Sequence, residues 1–109
     1  MALQNLANTF GLTVLLWNCR SLYANMIEFK KFISQANPHI ICLTETWLKL
    51  TDTLKLQPYN IYRKDRFGKG GGVAILVSKT LVSRPHKNFQ DFNDALLETL
   101  AITFRGMAS

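Results

Sequence analysis

Two apolar runs separated by one amphipathic stretch constrain this chain more than anything else in it. Residues 14–17 read VLLW and end in Asn18. Residues 39–43 read HIICL and lead through Thr44 to Glu45. Each run has the length of a buried strand, and consecutive apolar positions imply cover on both faces. Between them Met26, Phe29, Phe32, Ile33 and Ala36 recur at helical spacing, with Glu28, Lys30, Lys31 and Gln35 on the opposite side. Asn25 stands at the N-cap position and Glu28 follows three residues later, the spacing of a capping box. Asn37 followed by Pro38 stops the helix. Strand, helix and strand in this order predict parallel neighbours joined by a right-handed crossover.

Parallel neighbours bring their carboxyl ends to the same sheet edge. Asn18 and Glu45 are therefore expected on one rim. A hard cation such as Mg²⁺ takes oxygen ligands, often only one or two carboxylates, with water and phosphate completing its shell. Glu45 is a candidate for that carboxylate, and Asn18 for orienting a phosphate oxygen or ligating the ion. The plainer reading of the same pair is a strand-end salt bridge and a turn.

Downstream, residues 59–64 (YNIYRK) alternate like a strand, and residues 73–77 (VAILV) form another apolar run. The pair predicts an antiparallel hairpin joined by the loop DRFGKGGG. That loop does not match the P-loop pattern: no GK[ST] follows and no helix begins there. Its glycines suit a tight turn and close backbone approach. Arg63, Lys64, Arg66 and Lys69 cluster around it, either to grip phosphates or as the solvated tip of a hairpin. Residues 1–11 read as an irregular leader, and residues 79–94 as an exposed loop with room for a short strand at Leu81 and Val82. Residues 96–104 read as a last strand, which puts Glu98 in phase with Leu100, Ile102 and Phe104. A carboxylate in that row needs a partner or an edge position.

Composition narrows the partners. Thirteen Lys and Arg against seven Asp and Glu leave a net charge of +6, which suits a polyanion and equally a solvated basic surface. Cys19 and Cys42 lack metal-ligand spacing and read as buried thiols, with a disulfide left open. His39 opens a strand and His86 sits in a polar loop. Neither has a nucleophile beside it, which disfavours a triad hydrolase. No run has membrane-spanning length, and the amino terminus lacks a basic region and apolar core of the secretory kind, so the chain reads as intracellular, nuclear or cytoplasmic.

Taken in order, WNCRS, NPHIICLTETWL and YNIYRKDRFGKGGGVAILV resemble the endonuclease/exonuclease/phosphatase family. More narrowly they are similar to the apurinic-type endonuclease domain of non-LTR (LINE, jockey-like) retrotransposon polyproteins. The resemblance covers roughly residues 12–105 and rests on the ordered set of motifs, not on any one of them. It implies an α/β fold, a four-layered sandwich of two mixed sheets with helices outside. Residues 12–109 would be its N-terminal half, a mixed sheet with a flanking helix.

The resemblance also implies Mg²⁺- or Mn²⁺-dependent hydrolysis of DNA phosphodiesters, nicking a target to prime reverse transcription. The partners implied are DNA and a reverse transcriptase domain in the same polyprotein, with no membrane and no small-molecule cofactor. By motif, Asn18 matches the family's phosphate- and metal-orienting Asn, Glu45 its metal-binding Glu, and Glu98 a supporting Glu of the catalytic set. Arg20, Arg63, Arg66 and Lys69 fall among the DNA contacts. Two features depart from the pattern. His39 stands where the family usually has Asp, and the later motifs that supply the general base do not occur. The expectation is a chain of low nuclease activity alone. The alternatives are a non-catalytic nucleic-acid-binding remnant and a phosphatase of the same family.

Overall fold

The structure is a computed structural model, and it describes residues 5–9, 11–66, 70–85 and 102–106. In chain order the elements are β1 (Asn5–Thr9), β2 (Leu12–Asn18), α1 (Met26–Ala36), β3 (Ile40–Thr44), β4 (Tyr59–Lys64), β5 (Val73–Ser78), β6 (Leu81–Pro85) and β7 (Ile102–Gly106). Among the described residues, one sheet has the order β1-β2-β3-β5-β4, and β6 pairs with β7 in a second. The first sheet is mixed: β2 and β3 are parallel, and every other pairing in it is antiparallel. This is the expected α/β arrangement of a mixed sheet with a flanking helix.

The strand-helix-strand reading holds in detail. β2 and β3 pair from Val14 with Ile40 to Asn18 with Thr44. The helix lays Phe29 and Ile33 on the sheet, and Phe29 stacks on Trp17 with ring centroids 5.4 Å apart. Burying each such side chain stabilises the fold by about 1.5–3 kcal/mol. Asn37 ends the helix in the left-handed region at φ 49°, its N–H donating to Ile33 O. At the other end the expected capping box takes a different form. Asn25 holds the N-cap position but caps nothing with its side chain, which donates instead to Cys19 O and Ser21 O.

Leu15, Trp17, Ile41, Leu43, Ala74 and Leu76 line the helix-side face, together with Leu48 and Leu56 from the loop before β4. The opposite face carries Val14, Ile40, Cys42, Ile75 and Val77, and Leu81 at the start of β6 packs there. Tyr62 Oη and Ser83 Oγ meet at 2.7 Å, a second tie between that face and β6. β2 lies inside the sheet as expected, yet its outer face is only partly covered, and Leu16 is 44% exposed.

Two sequence expectations need correction, and a third lies partly outside the described residues. Residues 5–9, read as irregular leader, form β1, because NLANT pairs its backbone with β2 from Thr9 opposite Leu12 to Asn5 opposite Leu16. Residues 81–85, read mostly as loop, form β6, which is satisfied by pairing with β7. The last strand was expected over residues 96–104. The described strand is Ile102–Gly106, and Glu98 and Leu100 lie outside the described residues, as does His86. His39 just precedes β3 and is structural: its N–H donates to Thr13 O, its Nδ1 accepts from Thr13 N–H, and its carbonyl accepts from Ser78 N–H.

Cys19 and Cys42 are free thiols placed in the packing of opposite sheet faces. Burial, and then the negative charge of Glu45, pushes the Cys19 thiol from 9.0 up to about 12. Burial also raises Cys42 and Tyr59, whose hydroxyl donates to Pro38 O at 2.6 Å. The folded protein thus keeps protons that the unfolded chain has already released. This stabilisation is whole below the ordinary thiol value of 9.0 and is lost as pH rises toward about 12. Each group contributes a slope of at most about 1.4 kcal/mol per pH unit. Urea midpoints should fall steadily through that window, and Cys19→Ala should flatten the fall. A flat midpoint in the parent protein would contradict the assignment.

Candidate active site

The register places Asn18, Thr44, Val73 and Lys64 in one row across β2, β3, β5 and β4. Beyond that row the ladder continues through irregular backbone. Cys19 N–H donates to Thr44 O at 2.8 Å, Ser21 N–H to Glu45 O at 3.1 Å, and Leu22 N–H to Thr46 O at 2.9 Å. On the other flank, Thr46 N–H donates to Gly72 O at 3.2 Å and Trp47 N–H to Gly71 O at 2.9 Å. The segment after β3 is therefore paired on both sides. Glu45 sits one residue past the Asn18–Thr44 rung, so the two strand-end residues share one edge of the sheet.

The backbone there is strained. Arg20 (φ 45°), Ser21 (85°), Glu45 (50°) and Trp47 (55°) all occupy the left-handed region. Such conformations cost about 1–3 kcal/mol each for residues other than glycine and cluster where geometry serves function. The surrounding ladder holds them. Asn25 adds two bonds to the carbonyls of Cys19 and Ser21 at 3.2 and 3.1 Å, and Ser21 Oγ accepts from Ala24 N–H. Gly72, at φ 91°, admits the close approach: a Cβ built on it would lie 2.6 Å from Thr46 Oγ1. Thr46 is 1% exposed, and its hydroxyl has no hydrogen-bond partner.

The electrostatics agree with this placement. Burial and, second to it, the negative charge of Glu45 disfavour the Cys19 thiolate. Asn18 and Arg20 are exposed on the same edge. Arg66, also exposed, follows the last residue of β4 and leaves from that edge. Lys69 and Glu98 lie outside the described residues.

Arg63 has a different job from the expected phosphate contact. Its Nε donates to both carboxylate oxygens of Asp65 at 3.1 Å, and its Nη2 to Asp65 Oδ2 at 2.7 Å. Its Nη1 donates to Asp52 O at 2.6 Å and its Nη2 to Lys49 O at 2.7 Å. The guanidinium is a strut that fixes the loop after Trp47. Two of its partners are backbone carbonyls more than ten residues away in the chain, which no local pattern announces. The sequence reading also passed over Asn25 as a brace and Thr46 as a buried hydroxyl. The run of three glycines was the one signal that something packs close to it.

A model of the endonuclease/exonuclease/phosphatase family matches residues 15–108. The chain belongs to the endonuclease/exonuclease/phosphatase family. A comparison with curated proteins returned no match. The endonuclease/exonuclease/phosphatase superfamily is one of nuclease- and phosphatase-type hydrolases, and its enzymes generally depend on a divalent metal. Among the described residues of this endonuclease/exonuclease/phosphatase chain, no group of three or more His, Cys, Asp or Glu side chains gathers. The oxygen donors that the strand ends bring to the rim are one carboxylate, Glu45, and one amide, Asn18. That set fits a hard cation held loosely by few protein oxygens, with water and a phosphodiester oxygen completing the shell. Among the described residues, no helix is long and apolar enough to cross a membrane.

Proposed function

We propose that this chain carries the metal-binding rim of a divalent-metal-dependent DNA endonuclease of the non-LTR retrotransposon kind. The observation that supports it best is the Asn18–Thr44 rung with Glu45 immediately beyond it on strained, doubly paired backbone. The ordered motifs WNCRS, ETWL and GGGVAI favour the retrotransposon branch over a phosphatase. In the reaction, a water oxygen bonds to phosphorus as the P–O3′ bond breaks, leaving a 3′-hydroxyl and a 5′-phosphate. The freed 3′-hydroxyl would prime a reverse transcriptase carried in the same polyprotein.

Glu45 would hold Mg²⁺ or Mn²⁺ through its carboxylate, with Asn18 beside it. When bound, the ion supplies charge neutralisation at the phosphodiester and a more acidic water. Asn18 can donate its amide N–H to a non-bridging phosphate oxygen, and Arg20 and Arg66 add positive charge along the edge for the backbone on either side.

The test uses Mn²⁺ as a probe of this chain. Its paramagnetism should broaden the amide signals of Cys19, Ser21, Thr46 and Trp47 before those of α1, and Glu45→Gln should abolish the effect. Broadening that is uniform, or that survives Glu45→Gln, would overturn the site. Any relaxation of supercoiled plasmid in Mg²⁺ must disappear in the same variant.

A further inference from the structure

Trp47 follows Glu45 and Thr46 on the rim. The residue is 45% exposed although tryptophan is the largest apolar side chain. Its backbone is held in the left-handed region at φ 55° and pinned by its N–H to Gly71 O. Gly70 lies beside the ring: a Cβ there would rest 3.7 Å from Trp47 Nε1, an ordinary packing distance. The loop beyond is braced by the Arg63 strut and by Lys49 N–H to Asp52 Oδ2 at 2.7 Å. A strained, pinned backbone that carries an exposed tryptophan resembles a platform more than a packing element. Tyr23, a second exposed aromatic, follows Leu22, the rung partner of Thr46, and its hydroxyl is tied to Thr53 O at 2.6 Å. Trp17, the other tryptophan of the chain, is buried against Phe29.

We infer that Trp47 is a stacking residue that takes the face of an unstacked nucleobase beside the scissile phosphodiester. This rests on the nucleic-acid reading of the rim and narrows its substrate to DNA with a base free to leave its stack. An aromatic on an edge that also carries the exposed Arg20 and Arg66 suits a nucleic acid, because every base has a π-face and the cations can meet the backbone. A carboxylate nearby would repel bare phosphate, and the indole gives the ligand a neutral surface to rest on.

The experiment is fluorescence quenching in EDTA, where scission does not occur. The probes are single-stranded oligothymidylate and an abasic oligonucleotide of equal length and charge. The Trp17→Phe variant isolates the Trp47 signal, and the parent protein guards against loss of fold in that variant. Oligothymidylate should quench Trp47 and the abasic strand should not. Trp47→Ala should weaken oligothymidylate binding roughly tenfold or more, and Trp47→Phe should restore most of it. Equal binding and equal quenching by both strands would overturn stacking and leave the metal-dependent reading standing. Binding of neither strand would overturn stacking as well.

Discussion

Gly72→Ala is expected to destabilise the fold by about 2–5 kcal/mol, a large part of what a domain of this size has. Two effects add. An L-residue at φ 91° pays for a left-handed backbone, and the new methyl would sit 2.6 Å from Thr46 Oγ1. Thr46 cannot swing away, because its side chain is buried and its backbone is hydrogen-bonded on both flanks. The urea midpoint should fall steeply, and Mn²⁺-induced broadening at the rim should fall with it. Thr46→Ala in the same chain should recover the steric part and leave the backbone part. An alanine variant as stable as the parent would show that the Gly72–Thr46 contact is not a constraint.

Arg63→Ala is expected to cost about 3–5 kcal/mol, because it leaves a buried carboxylate without its partner. The Asp65 side chain is 5% exposed and takes three contacts from the guanidinium. The carbonyls of Lys49 and Asp52 lose the guanidinium at the same time, and Lys49 O keeps the Asp52 N–H. Arg63→Lys should rescue little, since one ammonium cannot reproduce the fork that reaches a carboxylate and two carbonyls. Removing both charges, as Arg63→Met with Asp65→Leu, should recover much of the loss in urea melts. A double-mutant cycle with no coupling between Arg63 and Asp65 would refute the strut.

Much of this geometry could be read in the sequence because it follows from periodicity. Val14 to Trp17, the Met26–Ile33 stripe and the hairpin of residues 59–64 and 73–77 each announce their element by spacing alone. The shared edge of Asn18 and Glu45 follows from two strands running the same way. Other features depend on partners far along the chain and were not legible. NLANT is polar and becomes a strand only because the edge of β2 needs hydrogen bonds. LVSRP carries Arg and Pro and becomes β6 only opposite β7. The insertion of β5 between β3 and β4 has no local signature. Arg63 sat in a basic cluster by sequence, and its true neighbours are an acid two residues on and carbonyls from another loop. Positive φ at Arg20, Ser21, Glu45 and Trp47 breaks local preference, and it persists because neighbouring backbone on both sides enforces it.

The segment from Glu45 to Trp47 is stitched into the protein along both of its margins, so it has no hinge. A visitor meets a surface already in its final shape and takes no chain freedom from it on arrival. Whatever adjustment docking requires must then come from the visitor: on the nucleic-acid reading proposed above, a stiff duplex would be turned away where a pliable one would be admitted.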